Sequence, residues 1–287
     1  MGPISSFMDS NFKHFNARET VDAARAFRTH LEGGGQMLLA MAGAMSTGEI
    51  GISLAKMIRA GKVHAISCTA ANLEEDIFNL FAHDDYRMVP HYRDLKPSDE
   101  RELRDAGLNR VTDTCIPETV MRHIEGILIE MWAEAASRGE ARFPYEYVYE
   151  LLGLPEISKR FKIPVENSWV MAAREAGLTI YSPGFEDSTL GNIFCARVMD
   201  GTVANHASVK PGTAQMQLLA EWYRARAKEQ TPVGFFQIGG GIAGDFAICA
   251  VPMLIQDLRE QVPFWSYFAQ VSDSTTSYGS YSGAVPN

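Results

Sequence analysis

Residues Gly239-Gly240-Gly241-Ile242-Ala243-Gly244 satisfy the spacing G-x-G-x-x-G at 239, 241 and 244. Glycines so placed let a chain turn tightly and bring backbone N–H groups against a pyrophosphate, when a strand precedes and a helix follows. The apolar run Val233–Ile238 precedes them, and a helix pattern over Ala247–Leu258 follows. The fingerprint also asks for an acid at the end of the next strand, to bind a ribose hydroxyl. Asp273, just after the run Trp265–Val271, is the candidate. A purely structural glycine turn is the competing reading. A second turn, Gly43-Ala44-Met45-Ser46-Thr47-Gly48, has the four-residue gap of a P-loop, but Glu49 stands where that loop needs lysine. A carboxylate there repels terminal phosphates, so ATP hydrolysis is not expected. A turn against a less charged diphosphate, or plain packing, stays open.

Glu74-Glu75-Asp76 follow the segment Cys68-Thr69-Ala70-Ala71-Asn72 at a strand end. Acids in a first helical turn are explained by the macrodipole alone. Strand C-termini are also where open α/β sheets bind ligands, and paired carboxylates there can hold an ammonium group. Asp187 and Asn192 follow another strand, and Asp245 a third, so several polar groups collect on one edge. Other chemistries find less support. Gly279-Ser280-Tyr281-Ser282-Gly283 has the outline of a nucleophile elbow with Tyr281 in the serine position. The seven histidines are scattered without metal-ligand spacing, and His83-Asp84-Asp85 reads as a solvated loop.

The elements that must position these residues alternate. A helix over Asn16–His30, ended by Gly33-Gly34-Gly35, is followed by a wholly apolar strand, Met37–Met41. An amphipathic stretch Ile50–Ala60, a strand Val63–Cys68 and a helix Leu73–Phe81 repeat the pattern. Pro117–Ser137 reads as one long helix, with Met121, Ile124, Leu128 and Met131 on a face. Leu178–Tyr181, Val233–Ile238 and Trp265–Val271 read as further strands, and the polar tail from Ser272 to Asn287 as a loop. Strand–helix alternation predicts an α/β fold, a doubly wound and mostly parallel sheet with helices on both faces. An N-terminal helical segment over 1–35 precedes one domain over 36–287.

Thirty-five acids against 26 bases give a net charge of −9. That argues against nucleic acid as a partner and suits a cationic substrate. The four cysteines form no C-x-x-C pair, which excludes a zinc ribbon and suits a reducing cytoplasm. No apolar run approaches about 18 residues, so no membrane span is expected.

Taken in order, Gly43–Thr47, Thr69–Asp76, Leu103–Arg110, Ser182–Gly191, Gly239–Gly241 and Ser282–Ala284 resemble the deoxyhypusine synthase family, especially its bacterial deoxyhypusine synthase-like branch. The resemblance implies a Rossmann-like fold, NAD as cofactor, and a homotetramer built from dimers, with active sites between paired subunits. It implies transfer of an aminobutyl group from spermidine, through an imine and an enzyme lysine, to an acceptor amine. By position it assigns Gly43, Ala44, Met45, Ser46, Thr47, Thr69, Ala70, Ala71, Asp187, Gly240, Asp273 and Ser274 to NAD. Glu74, Glu75, Asn192, Asp245, Gly279, Ser280 and Tyr281 would line the amine pocket.

Three departures touch that pocket. Asp245 stands at a histidine position, where a catalytic role is expected, while Asn192 and Tyr281 stand at aspartate positions. The acceptor can therefore differ from a protein lysine; a free diamine, as in homospermidine synthesis, is the alternative. A family lysine in a W-G-K motif belongs shortly after the Ser-Gly-Ala segment. It is expected beyond Asn287, in a longer chain, whereas the last lysine here is Lys228. If these 287 residues are the whole polypeptide, the chain is expected to bind NAD but not to transfer the aminobutyl group, and a non-catalytic NAD-binding relative is a further alternative. A sirtuin-like deacylase would need paired zinc cysteines that are missing from the sequence.

Overall fold

A computed structural model describes residues 2–273. Helices α1 (Pro3–Asn11) and α2 (Phe15–Glu32) lead into strand β1 (Gln36–Met41), helix α3 (Gly51–Arg59), strand β2 (Ala65–Cys68) and helix α4 (Ala70–Ala82). Next come β3 (Arg87–Met88), α5 (Pro97–Asp105), β4 (Leu108–Val111), β5 (Thr114–Pro117), α6 (Glu125–Arg138), α7 (Pro144–Leu152), α8 (Pro155–Ser158) and α9 (Trp169–Glu175). The chain continues through β6 (Ile180–Tyr181), α10 (Thr189–Met199), α11 (Gly212–Lys228), β7 (Val233–Ile238), α12 (Ile242–Ile248) and β8 (Tyr267–Val271).

The main sheet has the order β6-β2-β1-β7-β8, and every pairing in it is parallel. Its centre is β1, whose successive side chains alternate between faces. Leu39 and Met41 enter a core with α3, α4, α6, α7, α9 and α10. Leu38 and Ala40 enter the opposite core, with α11, α12 and Trp265. Burial on both sides is why this strand is an unbroken apolar run. Each leucine so buried stabilises the fold by roughly 1.5–3 kcal/mol. The N-terminal α2 lies on the β8 side, where Phe27 meets Phe236 and Tyr267 edge-on and the Tyr267 hydroxyl donates to Ala23 O at 3.1 Å.

The α/β architecture is as expected, and four local expectations are corrected. Pro117 does not open a helix: it ends β5 opposite Leu108, a 3-10 turn spans Glu118–His123, and α6 starts at Glu125. The three-residue spacing of apolar positions serves a 3-10 turn as well as a helix. Residues between α4 and α6 contain a second, antiparallel sheet, β3-β5-β4, that local periodicity does not announce. The helix after Gly241 begins at Ile242, not Ala247; α12 ends at Ile248, and a short α-helical turn over Ala250–Pro252 and a π-helical turn over Met253–Asp257 continue it to Leu258. Glu74, Glu75 and Asp76 stand beyond the first turn of α4, which starts at Ala70, so the macrodipole does not explain them. Gly34, with φ +85°, is the glycine that takes the left-handed conformation after α2. The loop expected from Ser272 to Asn287 falls, past Asp273, outside the described residues. Among the described residues no helix is long and apolar enough to cross a membrane.

Candidate functional site

Because the main sheet is parallel, all its strand C-termini open on one edge. Ala42–Gly43 after β1, Thr69 after β2, Ser182 after β6, Gly239 after β7 and Ser272–Asp273 after β8 all emerge there. Strand order reverses between β1 and β7, so the crevice at this switch point lies between the Gly43 and Gly239–Gly241 turns.

Both turns use glycine where it is required. Gly43 (φ +67°), Gly239 (φ +78°) and Gly241 (φ +71°) are left-handed. A Cβ on Gly239 would sit 3.1 Å from that of Ala42, so the two strand ends approach closely. A Cβ on Gly244 would sit 2.0 Å from Gln237 Nε2, so α12 packs directly on β7. The three glycines of the motif thus perform the turn and packing roles of the fingerprint. Ser67 Oγ donates to Ala243 O at 2.7 Å, and Gln270 Nε2 to Gly239 O at 2.8 Å, pinning this turn from both sides.

The Gly43–Thr47 turn is held by α4. Asn72 Nδ2 donates to Gly43 O at 2.8 Å, while its Oδ1 accepts Ser46 N–H at 3.0 Å. Thr69 Oγ1 donates to Gly43 O at 3.3 Å and caps α4 by accepting from Asn72 N. Ala70 and Ala71 form the first turn of that helix.

Glu74 and Glu75 are buried, only 4% and 7% exposed. Glu74 accepts the amides of Thr189 and Leu190 at 3.0 and 2.9 Å, holding the N-terminus of α10. Burial raises its pKa, against those hydrogen bonds. Glu75 accepts Thr47 N–H at 3.2 Å, and burial pushes its carboxyl up to about 7. The pair therefore ties the Gly43–Thr47 turn to the N-terminus of α10. Asp76 turns elsewhere: it accepts from Ser168 Oγ at 2.5 Å and Val170 N at 3.1 Å, and burial pushes it up to about 6.

Glu74 and Glu75 line a cavity of about 430 Å³ together with Glu118 and Glu125. Its walls include Phe78, Val111, Ile116, Val120, Met121 and Ile193, and among the described residues no lysine, arginine or histidine lines it. Glu118 and Glu125 are not among the residues the sequence marks for a site. Reading residues 117–137 as one helix hides the turn that brings them to the cavity. The spacing of Ile116-Pro117-Glu118 after a short β-type run is the one signal for it.

The other expected residues divide. Asp187 is exposed in the loop before α10, near enough to Glu74 to raise its pKa. Gly240 is buried in its turn, and Asp273 follows β8 at the same edge. Asp245 is exposed on the first turn of α12 and is not among the residues lining the acidic cavity. Asn192 turns back on its own loop, donating to Glu186 O at 2.9 Å and Ser188 O at 2.6 Å. Ser274, Gly279, Ser280 and Tyr281 lie outside the described residues, as does Asn287, beyond which the family lysine is expected.

Comparison with known proteins gives these features a family. The family described as "Deoxyhypusine synthase" matches residues 6–287. A "Deoxyhypusine synthase-like protein" of Cyanothece sp. is 28% identical over 258 residues, covering 87% of this chain and 61% of the relative. One of Thermosynechococcus vestitus is 28% identical over 298 residues, covering 99% of this chain and 69% of the relative. The chain thus spans between three fifths and seven tenths of the length of these two relatives. A solved structure from Entamoeba histolytica, described as a "putative deoxyhypusine synthase", overlays with TM-score 0.47 at 14% identity, covering 72% of this chain and 60% of that one. That overlay is too loose to carry an argument, and the fold stands on its own strand order. Matched along residues 6–287, with the motif turns and paired acids on one sheet edge, the chain belongs to the deoxyhypusine synthase family.

Proposed function

We propose that the chain is an NAD-dependent transferase that moves the aminobutyl group of spermidine, or a related polyamine, towards an acceptor amine. The observation that carries this reading is the acidic cavity. A polyamine alternates ammonium groups with methylene chains, and a cavity of four carboxylates among apolar walls matches both parts. The cofactor half rests on the adjoining crevice. A Cβ on Gly241 would meet nothing within 4 Å, and one on Gly43 only Met45 Cε at 4.0 Å, so bare backbone faces open space on both sides. A dinucleotide fits a switch-point crevice of that kind.

Gly43–Thr47, Thr69, Ala70, Ala71, Asp187, Gly240 and Asp273 would hold NAD, which when bound accepts and later returns a hydride. Asp187 and Asp273 supply acceptors for ribose hydroxyls. Glu74 keeps the N-terminus of α10 in place while its charge faces the amine. Glu75, raised to about 7, accepts the proton that an ammonium must lose before its nitrogen lone pair is available. Asp245 stands beside the Gly241 turn as the carboxylate partner of the reacting nitrogen. Assembly into a homotetramer of dimers belongs to the same reading.

The test is to incubate the chain with NAD and spermidine and to search for NADH and for diaminopropane, which water releases from the oxidised spermidine imine, with aminobutanal as the other product, even without the family lysine. The appearance of diaminopropane, dependent on NAD, is the expected result. Intact spermidine after prolonged incubation, with no NADH formed, would overturn the reading.

A further inference from the structure

Ser46 is fully buried in the middle of the Gly43–Thr47 turn, and three side chains from outside the turn satisfy its polar groups. Its N–H donates to Asn72 Oδ1 at 3.0 Å, and its hydroxyl donates to Asn72 O at 2.7 Å. Its carbonyl accepts Asn79 Nδ2 at 2.7 Å. Its hydroxyl oxygen also accepts the indole N–H of Trp169 at 2.9 Å. Trp169 lies on α9, more than a hundred residues away in sequence, and is fully buried.

Trp169 is itself held from behind. Ser168 Oγ and Val170 N both donate to the buried Asp76 carboxylate, and Trp169 N approaches its other oxygen at 3.4 Å. A second arm runs through Asn79, whose Oδ1 accepts the Tyr86 hydroxyl at 2.9 Å, next to the start of β3. The turn is thus clamped between α9 and the small antiparallel sheet, by a buried network whose members are all hydrogen-bonded. Such networks specify one geometry, because breaking a single link strands a polar group away from water.

We infer that Trp169 and Asn79 are positioning residues: they hold the Gly43–Thr47 turn, through Ser46, in the conformation that receives the dinucleotide. Neither belongs to a motif of the site, and neither would touch the ligand. The part concerning the dinucleotide rests on the NAD reading above; the bracing of the turn does not.

Three variants test it: Trp169→Phe, which removes the indole donor, Ser46→Ala, which removes its acceptor, and the two combined. Each is measured for amide hydrogen exchange in the ligand-free chain, for NAD affinity by calorimetry and for thermal stability. Trp169→Phe should speed exchange of the amides of residues 43–48 about tenfold and weaken NAD about tenfold, the loss of one buried hydrogen bond, and Ser46→Ala should do more, since it also loses the bond to Asn72 O. The double variant should be no worse than Ser46→Ala alone, because the link that Trp169→Phe breaks is already lost in Ser46→Ala. Ser46→Ala leaves the indole in place, so it still tests the bracing of the turn through Ser46 if Trp169→Phe folds poorly. Unchanged exchange in the turn would overturn the bracing. NAD losses that multiply in the double variant, or that merely follow stability, would overturn the positioning role. A wild-type chain that takes no NAD removes the cofactor reading, while the exchange data still decide the brace.

Discussion

On the turn side of the edge, Gly43, Gly239 and Gly241 adopt left-handed backbone, and the surface offered to a ligand is peptide. On the acid side, Glu74, Glu75, Glu118 and Glu125 surround a cavity, and the surface offered is carboxylate. The two sides meet at the hydrogen bond from Thr47 N–H to Glu75. Shape governs the first: a misplaced peptide cannot be compensated by salt or pH. Charge governs the second, and burial has pushed one of its carboxyls into the neutral range. On the proposed reading, the edge separates a pH-insensitive recognition of a dinucleotide from a pH-sensitive recognition of a cation.

The largest expected effect breaks the turn side alone. Gly241→Val forces a β-branched residue to φ +71° and fills the open crevice. NAD affinity should fall on the order of 100-fold, strain accounting for about 1–3 kcal/mol. Calorimetry should find spermidine affinity unchanged, and a parallel loss of both ligands would break the comparison.

Next in size is Glu75→Gln. Spermidine binding should weaken about tenfold, as for one charge-assisted hydrogen bond, with NAD altered far less. Stability should respond too. Glu75 and Asp76 titrate in the folded chain near 7 and 6, above the ordinary values of 4.5 and 3.8. Between about pH 4 and 7 the folded chain therefore binds more protons than the unfolded one, and stability falls as pH rises. Glu75→Gln should flatten the upper part of that slope and raise stability at pH 8 by about 1–3 kcal/mol. Denaturant titrations across this range would measure it; an equally steep slope in the variant would count against a buried, raised Glu75.

Smaller still are changes at the cavity rim. Glu118 is exposed and Glu125 only half-buried, so Glu118→Gln or Glu125→Gln should each cost spermidine about threefold in affinity. A tenfold loss would place the cation at the rim instead of at Glu75. Salt should act on a similar scale. Going from about 0.05 to 0.5 M NaCl should weaken spermidine several-fold and NAD by less than about twofold.

The same division runs through what the sequence discloses. β1, β2 and β7 are legible because strands buried on both faces are mostly apolar, with Ser67 and Gln237 as the buried polar residues of β2 and β7, and the glycine turns are legible because left-handed backbone needs glycine. The paired acids are visible as residues, but their burial is not, because their partners Thr47, Thr189 and Leu190 are distant in sequence. The β3-β5-β4 sheet is hidden for a related reason. β3 is only Arg87–Met88 and both residues are exposed, while β4 mixes Leu108 and Val111 with Asn109 and Arg110, so neither carries a period. That sheet moves Pro117 out of a helix and brings Glu118 to the cavity. The sequence therefore shows the backbone-built side of the edge more fully than the charged side.

The most direct measurement is titration of the chain with spermidine near pH 6.5, by calorimetry in two buffers of different ionisation enthalpy. A cation entering beside Glu75 must favour its ionised form, so binding should release roughly half a proton or more, and Glu75→Gln should abolish the release. Absence of binding, or a proton release that survives in Glu75→Gln, would contradict the acidic cavity as the polyamine site.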